Sequence, residues 1–266
     1  NFKKLKMTKK KFNQKKKFGQ NFLEDKSVVD KIINSINCKE KQLSFEIGPG
    51  LGVLTKRLFN FSAQVLAIEI DHLLVKILEE KFRIKNNFKV LNQDILTFDF
   101  KALGEFQEKW YLVGNLPYNI STQIILKILN NPFYFEKIVI MVQHEVAKRI
   151  IACPSSKAYG RLSINVQRKA DVFLQQIVTP ECFNPVPAVT SAVLEIKPKS
   201  INPNIELDNA LEKITKMAFN MRRKTILNAL KPLFTEQDLR NFQIDPKTRP
   251  EELTIRQYEL LAKKII

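Results

Sequence analysis

The sequence predicts an α/β fold, in which helices cover a mostly parallel, seven-stranded sheet and a small all-α domain follows. Two features of the 266-residue chain lead to this prediction. Up to about residue 200, short apolar runs alternate with amphipathic stretches, a pattern typical of parallel strands joined by helices. Beyond that point only helical stretches follow. Because 44% of the residues are hydrophobic, the chain can bury a substantial core.

Seven apolar runs have the length of buried strands. The last two are expected to form a hairpin-like pair, and the earlier five are separated by helical stretches, as parallel strands require. The predicted strands are 43–48, 64–70, 88–92, 110–115, 137–143, 171–178 and 191–198.

Helical stretches fill the intervals between these strands. The stretch 72–82 has apolar residues at i, i+3 and i+4 spacing. Ser27 is the expected N-cap of the first helix, and Asp71 is a candidate cap of the third. The predicted helices of this region are 27–36, 53–58, 72–82, 122–129 and 161–170.

The pattern changes near residues 198–204, where we place a domain boundary. We therefore expect a main domain over 18–200 and a helical domain over 201–266. Residues 1–17 form a lysine-rich arm without an acid, which we expect to be flexible and to engage phosphates. The predicted helices of the second domain are 207–219, 222–234, 235–242 and 253–266.

The charge of the chain indicates an anionic partner. Its formal net charge is +17, with a sequence pI of about 9.7. Such a balance favours nucleic acid or an anionic membrane. No apolar run approaches the roughly 20 residues of a membrane span, and no helical stretch pairs a wide apolar face with a purely basic one. Nucleic acid is therefore the preferred partner.

Cysteine and histidine usage argues against a metal site. Cys38, Cys153 and Cys182 are far apart and lack the C-x-x-C spacing of a zinc site, and their odd number does not suggest a disulfide framework. The two histidines, His72 and His144, are also distant in sequence. The basic arm has no secretory signal pattern, so we expect a reduced, cytoplasmic setting and no bound metal.

A glycine loop follows the first strand of the predicted parallel sheet. "EIGPGLGVLTKRL" places Gly48, Gly50 and Gly52 between that strand and a helix, where glycine permits a tight turn and close approach of a ligand. The dinucleotide fingerprint fails because residue 53 is valine, and the P-loop lysine is absent. Taken alone, the loop is equally compatible with a simple tight turn.

Acidic residues at the next two strand ends give the loop a function. Glu69 ends the second strand about 20 residues after Gly48, where an acid can hydrogen-bond a ribose diol. Asp94 follows the third strand and can accept from an adenine amino group. We assign Ile70 and Ile95, the residues after these acids, to the same pocket. A nucleoside pocket without a phosphate-binding element favours S-adenosylmethionine, and so a Rossmann-like, class I methyltransferase domain.

The fourth strand ends in the unusual sequence "NLPY". The amide oxygen of Asn115 and the backbone carbonyl of Leu116 can accept the two N–H groups of an exocyclic base amine and orient its lone pair towards the methyl donor. Pro117 holds the preceding residue extended, and Tyr118 offers a face for base stacking. In the alternative interpretation, Asn115 caps a helix and Tyr118 packs in the core.

Six motifs in order resemble the bacterial small-subunit ribosomal RNA adenine dimethyltransferases. They are "KKFGQNFL", "EIGPGLG", "GNLPYNIS", "SKAYGRLS", "FNPVPAVTSAV" and "FNMRRKT", and the likeness extends from about Lys16 to the end of the chain. Members of that family use S-adenosylmethionine to dimethylate N6 of two adjacent adenosines in a hairpin loop near the 3′ end of 16S rRNA. They act on an assembly intermediate of the small ribosomal subunit, and the resemblance implies the same for this chain.

The resemblance also implies roles for individual residues. Asn21 and Leu23 would cover the cofactor, and Phe183 would provide a second stacking face opposite Tyr118, although Phe183 is equally compatible with a core position. The cofactor site would contain Asn21, Leu23, Gly48, Gly50, Glu69, Ile70, Asp94, Ile95 and Asn115. Arg222, Arg223 and Lys224 would form the RNA contact of the helical domain. In the alternative interpretation, these three residues form a solvated helix face.

Two other functions remain possible from the sequence. One is the antibiotic-resistance type of enzyme, which methylates an adenosine of 23S rRNA with the same fold and chemistry. The other is an RNA-binding assembly factor with vestigial activity. The intact Glu69, Asp94 and Asn115 favour an active enzyme. Since no additional apolar helical seam is evident, we expect a monomer.

Overall fold

The computed structural model describes residues 21–36, 42–104, 108–200 and 204–266. The predicted basic arm over 1–17 lies outside the described residues, as does Cys38. None of the described helices is long and apolar enough to cross a membrane.

A seven-stranded sheet forms the centre of the main domain, as predicted. Its neighbouring strands are, in order, β4, β3, β2, β5, β6, β9 and β7. Of the seven strands, β9 alone runs in the opposite direction to the other six, so the sheet is mostly parallel. The strands are β2 Gln42–Ile47, β3 Ser62–Glu69, β4 Phe88–Asn92, β5 Trp110–Asn115, β6 Phe135–Gln143, β7 Ala170–Val178 and β9 Ser191–Pro198. The predicted hairpin-like pair, β7 and β9, is indeed paired antiparallel.

A second, two-stranded sheet was not predicted. It joins β1 (Phe22–Leu23) to β8 (Phe183–Asn184). Two residues are too few to show an alternating pattern, so sequence gave no signal for it. The backbone N–H of Glu24 also donates to the carbonyl of Cys182, so the chain around β1 is fastened to the segment between β7 and β9.

Helices cover the sheet and form the second domain. The prediction missed α5 and placed the N-cap of α1 wrongly. Asp25, not Ser27, caps α1 by accepting from the N–H of Val28, whereas the Ser27 hydroxyl donates to Asp25. Asp71 caps α3 as expected. The helices are α1 Lys26–Ile36, α2 Val53–Leu58, α3 His72–Phe82, α4 Ser121–Leu129, α5 His144–Ile150, α6 Arg161–Lys169, α7 Ile205–Asn220, α8 Ile226–Leu230, α9 Glu236–Asn241 and α10 Ile255–Lys264.

The sheet is buried on both faces because helices pack against each face, and its strands are therefore long apolar runs. One face carries an aromatic cluster around Phe45, which is fully buried and contacts Phe98, Phe100, Trp110 and Phe135. Tilted and edge-on ring pairs of this kind are favourable beyond their buried area. The cluster fixes β2 and β5 side by side, and these are the strands from which the candidate site emerges.

The helices after residue 204 have a core of their own, which extends into the main domain through Tyr159 and Ile164. Arg168 on α6 pairs with Asp208 on α7 and Glu259 on α10 across the same boundary. The assignment of 201–266 as a separate domain therefore stays a prediction. The helix predicted over 222–234 is shorter in the structure, where α8 spans only Ile226–Leu230. Arg222, Arg223 and Lys224 lie in the turn before it.

Candidate active site

A cleft opens at the carboxyl ends of β2, β3 and β5. The sheet order runs outward from β2 in both directions, to β3 on one side and β5 on the other, and such a switch point is where open α/β sheets bind ligands. The structure brings together at this cleft every predicted cofactor residue and the whole of "NLPY". Its lining includes Asn21, Leu23, Gly48, Gly50, Glu69, Ile70, Asp94, Ile95, Asn115, Leu116, Pro117 and Tyr118.

The glycine loop needs glycine for two separate reasons. Gly48, Gly50 and Gly52 all have positive φ, of 65°, 57° and 75°, a conformation that other L-residues rarely adopt. In addition, a Cβ on Gly50 would lie 2.9 Å from the ring of Phe22. The loop and the chain around β1 therefore close on each other at one end of the cleft.

Glu69 is oriented by the backbone around it. Its Oε2 accepts from the N–H of Gly50 at 3.2 Å, and its Oε1 accepts from the N–H of Asp71 at 2.9 Å. The side chain is only 6% exposed, and burial raises the pKa of its carboxyl although these hydrogen bonds act in the opposite direction. The carboxylate thus links the glycine loop to the start of α3.

Asp94 lies two residues beyond β4 rather than directly at its end. Its Oδ1 accepts from the N–H of Leu96 at 2.8 Å, which fixes the turn that follows the strand. The side chain is half-buried at the cleft, between the neighbouring residues Gln93 and Ile95 of the lining.

Asn115 has the most informative environment. Its Nδ2 donates to the backbone carbonyl of Asn21 at 2.9 Å, and this contact sets the orientation of the amide. Its Oδ1 is buried and has no hydrogen-bond partner among the residues that the structure describes. A buried, unpaired carbonyl oxygen costs free energy, so an acceptor left open at a cleft points to a ligand that donates.

Tyr118 is held by its phenol group. The hydroxyl lies 2.6 Å from Oγ of Ser191 at the start of β9, and burial raises the pKa of Tyr118. Leu116 is buried, and its N–H donates to the carbonyl of Met141 on β6. The carbonyl of Pro117 accepts from the N–H of Ile120, closing the turn that leads into α4. The "NLPY" segment is therefore a fixed turn between β5 and α4.

Glu46 is a site residue that sequence reasoning missed. It lies on β2 beneath the glycine loop, lines the cleft and is 1% exposed. Burial raises the pKa of its carboxyl to about 7, against a hydrogen bond from the Thr55 hydroxyl at 2.6 Å, and the nearby Glu69 raises it further. The signal in the sequence was a single acid within the apolar run "LSFEIG", which a buried strand does not otherwise favour.

The charges of the cleft are all of one sign. Among the described residues that line it, the charged ones are Glu46, Glu69 and Asp94, with no lysine or arginine. In a chain of net charge +17 this acidic cleft is a local exception. It suits a nucleoside that carries a positive charge and does not suit a phosphate group.

Phe183 does not line this cleft. Its side chain is 2% exposed and packs in an apolar cluster with Leu23, Val28 and Val178. The sequence left Phe183 open between a stacking face and a core position, and in the structure it occupies the core position. A stacking role would require the ring to leave this cluster.

The predicted RNA-contact residues lie away from the cleft, in the turn between α7 and α8. Arg222 is partly held there, since Nη2 donates to the carbonyl of Ser156 and Nε lies 3.5 Å from a carboxylate oxygen of Glu251. Arg223 and Lys224 are exposed. Within the described ranges, no group of three or more His, Cys, Asp or Glu residues can hold a metal ion.

Comparison with known proteins identifies close relatives. A family model described as "Ribosomal RNA adenine dimethylase" matches residues 11–266. A protein of Pseudomonas aeruginosa named "Ribosomal RNA small subunit methyltransferase A" is 41% identical over 252 residues, 94% of this chain and 94% of that protein. A protein of the same name from Hahella chejuensis is 41% identical over 249 residues, 93% of this chain and 91% of its own length.

Solved structures agree on the fold. A dimethyladenosine transferase from Plasmodium falciparum superposes with a TM-score of 0.78 at 25% identity, covering 92% of this chain and 97% of the other. The 23S rRNA methyltransferase ErmE superposes with a TM-score of 0.69 at 24% identity, covering 92% and 99%, and shows the fold alone. The predicted class I methyltransferase fold is confirmed. Since the family model and the relatives each span more than nine-tenths of the sequence, the chain belongs to the ribosomal RNA adenine dimethylase family.

Proposed function

We propose that this protein dimethylates N6 of two adjacent adenosines in the 3′-terminal hairpin loop of 16S rRNA, with S-adenosylmethionine as methyl donor. The family and its small-subunit relatives support the reaction and the type of RNA. The observation that carries the chemistry is the buried, unpaired Oδ1 of Asn115 at the cleft.

The charge and the lining of the cleft support S-adenosylmethionine as the cofactor. When bound, this cofactor supplies an electrophilic methyl group on a positively charged sulfur. Glu69 would accept from the ribose hydroxyls and Asp94 from the adenine amino group, with Ile70 and Ile95 packing beside the base. The glycine loop lets the backbone approach closely, and Asn21 and Leu23 cover the site. All charged residues of the described lining are acids, which favours a cationic nucleoside.

Asn115 would act on the target amine. The lone pair of an exocyclic amine is delocalised into the ring, which makes the nitrogen a weak nucleophile. An N–H donated to Asn115 Oδ1, and a second to the Leu116 carbonyl, would hold the nitrogen and favour its pyramidal form as charge develops. The Asn21 carbonyl fixes which end of the amide faces the substrate. No strong base is needed, because the amine becomes acidic only after methylation.

Tyr118 would stack against the target base. Its ring lines the cleft while its hydroxyl is tied to Ser191, so the face is presented at little further entropic cost. Pro117 would aim the Leu116 carbonyl. Phe183 would complete a stacking pair only after leaving its buried position.

The physiological substrate would be an assembly intermediate of the small subunit, acted on in the cytoplasm by a monomer. The net charge of +17 supports RNA as the partner. The exposed Arg223 and Lys224 would contact phosphates from the turn between α7 and α8, and Arg222 would support that turn.

Primer extension tests the proposal directly, because N6-dimethylated adenosine blocks base pairing and stops the polymerase. Small subunits from cells lacking this gene would be treated with the purified protein and S-adenosylmethionine. Cofactor-dependent stops at two adjacent adenosines near the 3′ end of 16S rRNA are expected, and none with Asn115→Ala protein on the same timescale. Stops only in 23S rRNA would move the assignment to the resistance type. RNA binding without stops anywhere would favour an assembly factor.

A further inference from the structure

A second groove lies on the main domain, between α1 and the strands β6, β9 and β7. Its lining includes Lys31 and Ser35 of α1, Lys137 near the start of β6, and Glu195 of β9. Glu195 pairs with Val139 in the middle of β6, so the groove runs along the face of the sheet against which α1 packs. The groove and the cleft have no described lining residue in common, so the groove is a separate site.

A β-bulge aims two amide side chains into this groove. Leu174 of β7 pairs with Leu194 of β9, and Gln176 pairs with the next residue, Val193, so Gln175 is the extra residue. Successive side chains of a regular strand point to opposite faces, yet Gln175 and Gln176 both line the groove. Bulges are a common means of redirecting side chains.

Glu195 organises the polar groups of the groove. It is 9% exposed, and its Oε2 accepts from Nε2 of Gln175 at 3.1 Å. Its Oε1 lies 3.6 Å from Nζ of Lys137 and 3.3 Å from Nζ of Lys197. Lys137 is held a second time by the carbonyl of Ser35, at 3.2 Å. The groove is therefore ordered before any ligand enters.

Two features of the groove are not balanced within the described residues: one oxygen lacks a hydrogen-bond donor, and positive charge is in excess. Within the described part of the chain, Oε1 of Gln176 is buried and has no hydrogen-bond partner, so an N–H or O–H group of a ligand would satisfy it. The charge is also uneven, because the charged residues of the described lining are three lysines, Lys31, Lys137 and Lys197, and one acid, Glu195. Lys31 and Lys197 are exposed and can reach an anion.

We propose that this groove binds a ribose–phosphate strand of the rRNA outside the target loop. Phosphates would contact Lys31 and Lys197, and a ribose 2′-hydroxyl would donate to Oε1 of Gln176. A hydroxyl beside a phosphate is a feature of RNA that DNA lacks, and it meets both unfilled requirements. The inference rests on the proposed function only in taking rRNA as the partner, since the cleft itself is not involved.

Binding of unmethylated small subunits by the Lys31→Ala, Lys197→Ala double variant tests the groove. We expect affinity at moderate salt to fall about tenfold and the slope of log affinity against log salt to flatten by roughly 1.5, as the loss of two phosphate contacts requires. The control is Lys76→Ala with Lys89→Ala, two exposed lysines on α3 and β4 at the opposite edge of the sheet. Equal losses in both variants would overturn the proposal.

Two further measurements separate this idea from the methylation proposal. Turnover on a short RNA hairpin that contains only the target loop should be unchanged in the groove variant. An equal loss of turnover on the hairpin would place the effect in the cleft and contradict the proposed role of the groove. Gln176→Leu should weaken binding of single-stranded RNA while leaving binding of DNA of the same sequence unchanged, and equal effects on both would exclude the 2′-hydroxyl contact. Failure of methylation by the wild-type protein would bear on the proposed function alone.

Discussion

At the scale of single residues, buried polar atoms carry the functional information. Most buried polar groups in a folded protein are satisfied, so the few that are not deserve an explanation. Asn115 Oδ1 faces the cleft and Gln176 Oε1 faces the second groove. The Asn21 carbonyl orients the Asn115 amide, and both residues line concave surfaces where a ligand can supply the missing donor.

Asn115→Ala should slow methyl transfer by about 10²-fold or more, because it removes one preorganised acceptor next to the reacting amine. Affinity for S-adenosylmethionine, measured by calorimetry, should stay nearly intact. Asn119→Ala is the matched control, since Asn119 is an exposed amide of the same turn that is not part of the cleft lining. Equal loss of cofactor binding and turnover would contradict the assigned role.

Glu46 should make stability depend on pH. Its pKa is raised from 4.5 to about 7, so the folded state holds its proton more tightly than the unfolded state. This contribution is fully present below pH 4.5 and is lost as pH rises through about 7, on the order of 3 kcal/mol in all. Glu46→Gln, which cannot ionise, should therefore be more stable than the wild type at pH 8, with the difference shrinking towards pH 5.

Thermal unfolding of both proteins between pH 5 and 8 measures this difference. Glu79→Gln, at an exposed position on α3, should run parallel to the wild type over the same range. Parallel curves for Glu46→Gln and the wild type would show that the Glu46 carboxyl titrates as an ordinary one.

At the scale of elements, the ends of β2 and β5 determine the site. These adjacent parallel strands deliver the glycine loop and Asn115 to one point. Gly114 is what lets them approach: a Cβ there would lie 2.7 Å from the backbone carbonyl oxygen of Ile47 on β2. The glycine of "GNLPY" is thus required by strand packing, not by turn geometry.

Gly114→Ala should destabilise the protein by about 1–3 kcal/mol, because the backbone carbonyl of the neighbouring strand cannot move aside as a side chain can. Cofactor affinity should fall as well, since the strand ends separate. Gly160→Ala is the control: its Cβ would contact the Phe219 ring at 3.8 Å, and its φ of −178° suits any residue. Denaturant unfolding that ranks the two variants equally would refute this explanation.

At the scale of the whole molecule, charge is divided between surfaces. The chain is strongly basic, whereas the charged residues that line the cleft in the described part of the chain are all acids. RNA and a cationic cofactor can therefore be attracted to different places on one domain. Between the main domain and the later helices, Arg168 of α6 pairs with Asp208 of α7 and Glu259 of α10.

Replacing Arg223 and Lys224 together by alanine should weaken RNA binding and flatten its salt dependence by roughly 1.5 in log–log slope, because two exposed phosphate contacts are lost. Affinity for S-adenosylmethionine should not change. Arg222→Ala should add a loss of stability, since Arg222 ties the turn to Ser156 and Glu251. An unchanged salt slope in the double variant would place the RNA contact elsewhere.

Local patterns in the sequence were sufficient for the sheet, most helices and the cleft residues at the strand ends, whereas Asn21 and Leu23 were expected from the family resemblance and Glu46 was missed. Short stretches of sequence suffice to recognise strand-length apolar runs, a glycine loop and polar residues at strand ends. Because the carboxyl ends of parallel strands lie at one edge of the sheet, these residues come together. The prediction also failed at the ends of helices, where neighbouring residues can each take the same role. Asp25 replaced Ser27 as cap within the same turn, and Arg222 fell in a turn because α8 begins only at Ile226.

The fold class, the family and most residues of the cleft follow from the order of residues along the chain. The surroundings of each site residue follow only from the folded arrangement. The Asn21 carbonyl orients Asn115 from 94 positions away, Phe183 is buried against Leu23, and a bulge turns Gln175 and Gln176 into a common groove. Burial and unpaired polar atoms arise from long-range packing, which no local pattern encodes, and they are what distinguish a reactive amide from a structural one.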